Sequence, residues 1–209
     1  MSIDALVPLK RLDYAKTRLA SVLDPPTRVR VMRALLDHTL EQVKAAPSIR
    51  SVTLVSSAVE APSIAAEHGV AHFDDRGLPW NDALAAAIAE AVTSEAVAIV
   101  SADVPLLTID DVERFVAALT DYGAVIARAT DAGTNGVAMQ PAGAMPTTFG
   151  VKGSAARHAE LAKESGLTPV IVDISGLAHD LDTAQDIDEV LRHAMSPKVR
   201  AVLAGALTQ

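Results

Sequence analysis

The chain has 209 residues; half are hydrophobic but only 3% are aromatic, a profile that excludes disordered, fibrous and collagenous classes and fits an Ala-rich globular protein. With 18 Lys and Arg against 26 Asp and Glu, the net charge of −8 lacks the broad basic surface that nucleic-acid binding needs. The absence of Cys excludes a disulfide framework, a thiolate zinc site and a Cys nucleophile. Asp4, Lys10 and Arg11 interrupt the start before a signal-like run of about 7 apolar residues can form. No apolar run approaches the roughly 18 residues of a membrane span. The expected setting is cytoplasmic, without a membrane or nucleic-acid partner.

In chain order, short β-branched runs alternate with Ala-, Leu- and Glu-rich segments, which predicts parallel strands joined by helical crossovers. Strands are expected at 3–9, 51–56, 70–73, 96–100, 124–129, 136–139 and 170–172. The run VAIV at 97–100 has no polar alternation and reads as a mid-sheet strand covered on both faces. Helices are expected at 27–45 behind Pro25 and Pro26, at 79–93, from Thr108 to about Asp121, at 154–165 ending at Gly166, from Thr183 to about Met195, and after Pro197. The segment 130–153, poor in helix signal, is expected to form a small hairpin over the sheet edge. The fold class is therefore a single-domain α/β protein with a mostly parallel open sheet and helices on both faces. The apolar last helix, with Val199, Val202, Leu203 and Leu207, offers a surface for a homodimer.

In such sheets ligands sit outside the carboxyl ends of the strands. After the first strand, residues 10–18 carry four basic side chains (Lys10, Arg11, Lys16, Arg18) and one acid, Asp13. This local reversal of charge reads as a polyanion site or as a solvated loop. Neither a Walker A pattern nor GxGxxG is present. Asp103 follows the apolar strand, where a carboxylate needs a partner: a hard divalent cation such as Mg²⁺, or a turn to cap. Asp180 and Asp182 alternate in an extended segment and so face one side, although Asp182 also reads as the N-cap of the next helix. His179 has no His at metal spacing, so a His-rich transition-metal site is not expected. Gly150, Gly153 and Ser154, with Lys152, form an anion site at a helix N-terminus, and Ser154 also reads as its cap. The stretch 133–136 reads as a hairpin turn, Trp80 as a packing anchor and Asn81 as a helix cap.

These pieces bring a resemblance into view. VPLKRLDYAKTRLA at 7–20, SADVPLL at 101–107, GTN at 133–135, FGVKGSAARH at 149–158 and DLDTAQDI at 180–187 resemble, in order and over nearly the whole chain, the phospholactate and phosphoenolpyruvate guanylyltransferases of coenzyme F-420 biosynthesis. Their fold is nucleotide-diphospho-sugar transferase-like. The resemblance implies transfer of GMP from GTP to 2-phospho-L-lactate, phosphoenolpyruvate or phosphoglycerate, with release of pyrophosphate. It further implies that Lys16 and Arg18 act on the triphosphate, that Lys10 and Asn81 contact the nucleotide, and that Asp103, Asp180 and Asp182 hold Mg²⁺. Thr134, Gly150, Gly153 and Ser154 would cradle the phosphorylated acid. Two other readings stand beside it: guanylyl or cytidylyl transfer to a molybdenum cofactor or sugar phosphate on the same fold, and a non-catalytic nucleotide-sensing module.

Overall fold

A strand buried on both faces needs neighbours on both edges and a layer on each side, and three strands meet that condition here. All residues of β1 (Ile3–Pro8), β4 (Ala96–Val100) and β6 (Thr134–Met139) are buried. The structure is a computed structural model that describes residues 2–10, 12, 16–193 and 197–207. Its seven strands form one sheet, ordered β3 (Ala71–Phe73), β2 (Ile49–Val55), β1, β4, β6, β5 (Ala124–Arg128) and β7 (Pro169–Val172). The pairs β1–β2, β1–β4, β2–β3 and β5–β7 are parallel, and only β6 runs against its neighbours.

Alternation along each strand feeds two cores. Ala5, Val7, Leu54, Ala98 and Val100 pack with Leu36 and Leu40 of α1 (Pro25–Ala45), Ile64 of α2 (Ala61–His68) and Phe115 of α4 (Ile109–Ala117). On the other face Leu6, Ile99, Ile126 and Val137 pack with Leu84 of α3 (Trp80–Ala91) and Ala155 and Ala162 of α5 (Ser154–Glu164). A third cluster joins Val31 and Leu35 of α1 to Leu181, to Ile187 and Val190 of α7 (Ala184–Leu191) and to Val199 and Leu203 of α8 (Pro197–Leu207). The apolar side of α8 that offered a homodimer surface is thus used within the chain.

The structure revises several other expectations. Segment 130–153 does not lie over an edge: β6 sits inside the sheet between β4 and β5. Gly136 is a strand residue, and a Cβ there would come within 3.0 Å of Phe115, so the glycine lets α4 approach the sheet. The tight turn precedes Thr134: Ala129 N donates to Gly133 O and Asp131 Oδ1 accepts from Gly133 N. The helix α2 and the short α6 (Ser175–Ala178) lack a sequence signal. The α4 and α7 N-termini are closed by capping boxes of Thr108 with Asp111 and Thr183 with Asp186, which frees Asp182 from capping.

Asp4 anchors the amino end of β1. Its carboxylate accepts from Arg50 Nε and Nη2, Ser51 Oγ, and the Thr93 and Ser94 backbone N–H groups, at 2.6–3.0 Å. Burial works to raise its pKa, but these five donors outweigh it and hold the carboxyl well below the usual range. A depressed folded pKa gives stability that is present above the ordinary carboxylate pKa and lost as pH falls below it. Asp4→Ala, which strands two backbone donors, is expected to lower unfolding free energy at pH 7 by on the order of 3 kcal/mol. In urea titrations the difference from wild type should shrink between pH 4 and pH 2, and a constant difference would refute the assignment.

Candidate active site

The carboxyl ends of β1 and β4 meet where the chain order turns outward in both directions, the place where open sheets hold ligands. A cleft of about 830 Å³ opens there. Lys16 enters from the segment after β1, on a left-handed backbone with φ 55°. Its Nζ donates to Asp103 Oδ2 at 2.5 Å and to Asp182 Oδ1 at 2.9 Å, with only 3% of the side chain exposed. Burial alone would depress this ammonium; the two carboxylates, by charge and hydrogen bond, more than reverse that and hold it above the ordinary lysine value. Arg18 is exposed in the cleft lining, with Nη1 3.3 Å from Asp182 Oδ2.

Asp180 and Asp182 reach Asp103 because β6 runs backwards. Its first residues stand at the carboxyl edge, where Ser101 N donates to Asn135 O at 2.9 Å and Asn135 Nδ2 donates to Leu177 O at 3.0 Å. Thr130 N holds the neighbouring carbonyl of Ala178. The segment leaving α6 is thereby fixed beside the end of β4. One oxygen from each of Asp103, Asp180 and Asp182 lies within 4.8 Å of the others, a hard-donor set of the kind that suits Mg²⁺.

The opposite wall is made of hydroxyls and a glycine loop. Thr134 Oγ1 lies 2.9 Å from Ser154 Oγ and 3.1 Å from His158 Nδ1, and His158 Nε2 accepts from Thr148 N at 2.8 Å. Gly150, with φ 82°, Val151, Lys152 and Ser154 line the cleft. Asn81 braces the loop: Oδ1 accepts from Phe149 N and Thr147 Oγ1 and Nδ2 donates to Phe149 O.

Of the predicted residues, Lys10, Lys16, Arg18, Asp103, Thr134, Gly150, Ser154, Asp180 and Asp182 all line this one cleft. Asn81 and Gly153 do not line it. Asn81 is neither cap nor cleft residue, since Pro79 is the N-cap of α3 and the amide is spent on the loop. Gly153, in the left-handed region, is the N-cap of α5, so Ser154 is its first helical residue and caps nothing. Arg11, and the Asp13 to Ala15 part of the basic loop, lie outside the described residues. Lys10 Nζ sits 5.0 Å from the Trp80 ring centroid, so Trp80 supports a cation as well as packing. His179 does meet a second histidine: His179, Glu189 and His193 each offer a ligand atom within 4.8 Å of the others, with Glu189 and His193 exposed. Asp131, Asn135 and His158 escaped the sequence reading. For His158 a signal existed, because it stands one helical turn after Ser154 and so shares its face.

The layered α/β fold and a strand-end carboxylate cluster with a buried lysine define a protein of the nucleotidyltransferase type. Residues 3–205 match the model of the guanylyl transferase CofC-like family, and the chain belongs to that family. It is 38% identical to the phosphoenolpyruvate guanylyltransferase of Sphaerobacter thermophilus, over 93% of this chain and 95% of that one. It is 29% identical to the 2-phospho-L-lactate guanylyltransferase of Methanothermobacter thermautotrophicus, over 97% and 90% respectively. Among solved structures, a protein of Desulfovibrio desulfuricans G20 assigned to the nucleotide-diphospho-sugar transferases superposes with a TM-score of 0.81 at 18% identity, covering 98% of this chain and 95% of that one. A CMP:2-keto-3-deoxy-manno-octonic acid synthetase complexed with CTP gives 0.62 at 12%, covering 98% and 99%. These two likenesses support the fold.

The carboxylate cluster has a measurable consequence. Burial first, then Asp103 and Asp182, push the Asp180 carboxyl up to about 6. A raised folded pKa means stability that is full below the ordinary carboxylate value and lost as pH rises through 6. In chelator-treated buffer at pH 7.5, Asp180→Asn is expected to be more stable than wild type by on the order of 2 kcal/mol, and at pH 4 nearly equal to it. Urea midpoints check this, and a less stable variant at pH 7.5 would count against the repulsion.

Proposed function

We propose that this protein is a Mg²⁺-dependent guanylyltransferase that transfers GMP from GTP to a small phosphorylated carboxylic acid, phosphoenolpyruvate foremost, and releases pyrophosphate. The observation that carries the reading is the junction, in one cleft, of a carboxylate trio flanked by cations with a wall of hydroxyls and left-handed glycine backbone. The first suits a divalent cation together with a polyphosphate; the second suits a compact anion. The name of the 38% identical relative makes phosphoenolpyruvate the first acceptor to test.

Asp103, Asp180 and Asp182 would hold the Mg²⁺, which when bound neutralises charge on the triphosphate as a Lewis acid. Every other part is supplied by the chain. Lys16 stays charged at working pH and keeps Asp103 and Asp182 in place. Arg18, Lys10 and Lys152 add positive charge around the cleft of an acidic protein. Thr134, Ser154 and the Gly150 loop orient the acid. Its phosphate has a second pKa of about 6 and is largely dianionic at pH 7, so no protein base is needed. A phosphate oxygen of the acid forms a bond to the α-phosphorus of GTP. The bond from that phosphorus to the bridging oxygen breaks, and the electron pair leaves with pyrophosphate. Positioning and charge neutralisation account for the chemistry asked of the protein.

Purified protein with Mg²⁺, GTP or CTP, and each of phosphoenolpyruvate, phospholactate and phosphoglycerate should release pyrophosphate with GTP and one acid; release with no combination would remove the reading in favour of a sensor. Asp103→Asn should lower kcat by about a hundredfold or more while remaining folded. Arg18→Ala should raise the KM for GTP about tenfold, the cost of one charge-assisted phosphate contact, and identical GTP kinetics would displace Arg18 from the triphosphate.

A further inference from the structure

Behind the hydroxyl wall lies a histidine that the reaction described above does not use. His158 is 0% exposed and does not line the cleft. Its two ring nitrogens have unlike partners, and that difference settles where its proton sits. Nε2 is 2.8 Å from the Thr148 backbone N–H, which can only donate, so Nε2 carries no proton. Burial pushes the imidazole down to about 4, so at neutral pH the ring holds one proton, on Nδ1. Nδ1 lies 3.1 Å from Thr134 Oγ1, to which it can donate, with the Ser154 backbone carbonyl as a second acceptor nearby.

This direction propagates. Thr134 cannot donate back to a protonated nitrogen, and Thr134 Oγ1 and Ser154 Oγ are 2.9 Å apart. Between them the two hydroxyls own two protons and share one hydrogen bond. One proton closes that bond; the other has no acceptor among the described residues, and Thr134 and Ser154 are both residues of the cleft lining. With the opposite tautomer Thr134 would donate to the ring and Ser154 to Thr134, and no hydroxyl proton would face the cleft. The distinction matters for an anion, because phosphate and carboxylate oxygens accept and repel an inward-facing lone pair.

We propose that His158 is a positioning residue for the acceptor acid: with Nε2 tied to the Thr148 amide, its Nδ1–H orients the Thr134–Ser154 pair so that one hydroxyl proton faces the phosphorylated acid. The proposal deepens the functional reading above and rests on it for the identity of the anion. His158 also touches the Phe149 ring edge-on at a centroid distance of 4.9 Å, so a simple anchoring role for the loop is the competing account.

Two substitutions separate these accounts. An Asn amide at 158 sits at the level of Nδ1 and can donate to Thr134 but not reach Thr148; a Gln amide reaches the level of Nε2 and can accept from Thr148 but leaves Thr134 without its donor. His158→Gln should raise the KM for phosphoenolpyruvate about tenfold, with kcat and the GTP KM within about twofold of wild type. His158→Asn should keep the acid KM within about threefold even where its melting temperature falls. The reverse order, with Asn impaired and Gln near native, would overturn the proposal and leave His158 as a loop anchor. Imidazole ¹⁵N spectra of the wild-type protein between pH 6 and 8 judge the proton directly: the Nδ1–H tautomer is expected, and the Nε2–H tautomer overturns the inference whatever the kinetics. Wild type inactive with every acid would instead defeat the functional reading, while the spectra would still decide the direction of the chain of protons.

Discussion

The geometry of this protein turns on one buried ammonium. Lys16 joins residues 87 and 166 positions away in the chain, and without its charge Asp103 and Asp182 would face each other with Asp180 beside them. A left-handed backbone at a non-glycine residue costs roughly 1–2 kcal/mol, so the position holds strain that two charge-assisted bonds offset. That strain stands in the lining of the cleft, the kind of place where stored strain commonly collects. The lysine also divides the labour of neutralisation. It compensates part of the negative charge permanently and leaves an excess that an exchangeable cation can satisfy.

The strand-end carboxylates could be read from the sequence because each signal was local. An apolar run with no polar alternation locates a central strand, and Asp103 follows it directly; period-two spacing aligns Asp180 with Asp182 before any neighbour is known. The strands fall within one or two residues of expectation for the same reason. What escaped was set by backbone angles or by tertiary partners. Ser154 and Asn81 have the right chemistry for a cap, but the cap is whichever residue first leaves helical φ/ψ, and that is Gly153 in one case and Pro79 in the other. The helix α2, eight residues with Pro62 near its start, is too short to display a stripe. The antiparallel direction of β6, on which Asn135 depends, is a property of the sheet and has no signature in the strand itself.

The cleft has two walls of different character, supported by different parts of the molecule. The carboxylate wall is electrostatic and hangs on the sheet ends, the segment after β1 and the exit from α6. The hydroxyl wall is built from neutral groups and Lys152, and its hydrogen bonds run back into α3 and α5 through Asn81 and His158. An acidic protein can in this way gather cationic side chains locally, with Lys10, Lys16 and Arg18 beside the carboxylates and Lys152 in the glycine loop.

Both walls draw on consecutive residues of β6, and this fixes the length of the connection that precedes them. Thr134 points toward α5 and Asn135 toward α6 because strand side chains alternate. A one-residue change of length between Ala129 and Gly133 that passed into β6 as a register slip would exchange the two, putting the amide against the imidazole and the threonine under the Leu177 carbonyl. Most surface turns tolerate such changes. Here a short turn leads directly into two residues with separate buried partners, so fusion tags, circular permutation and loop grafts belong elsewhere on the surface.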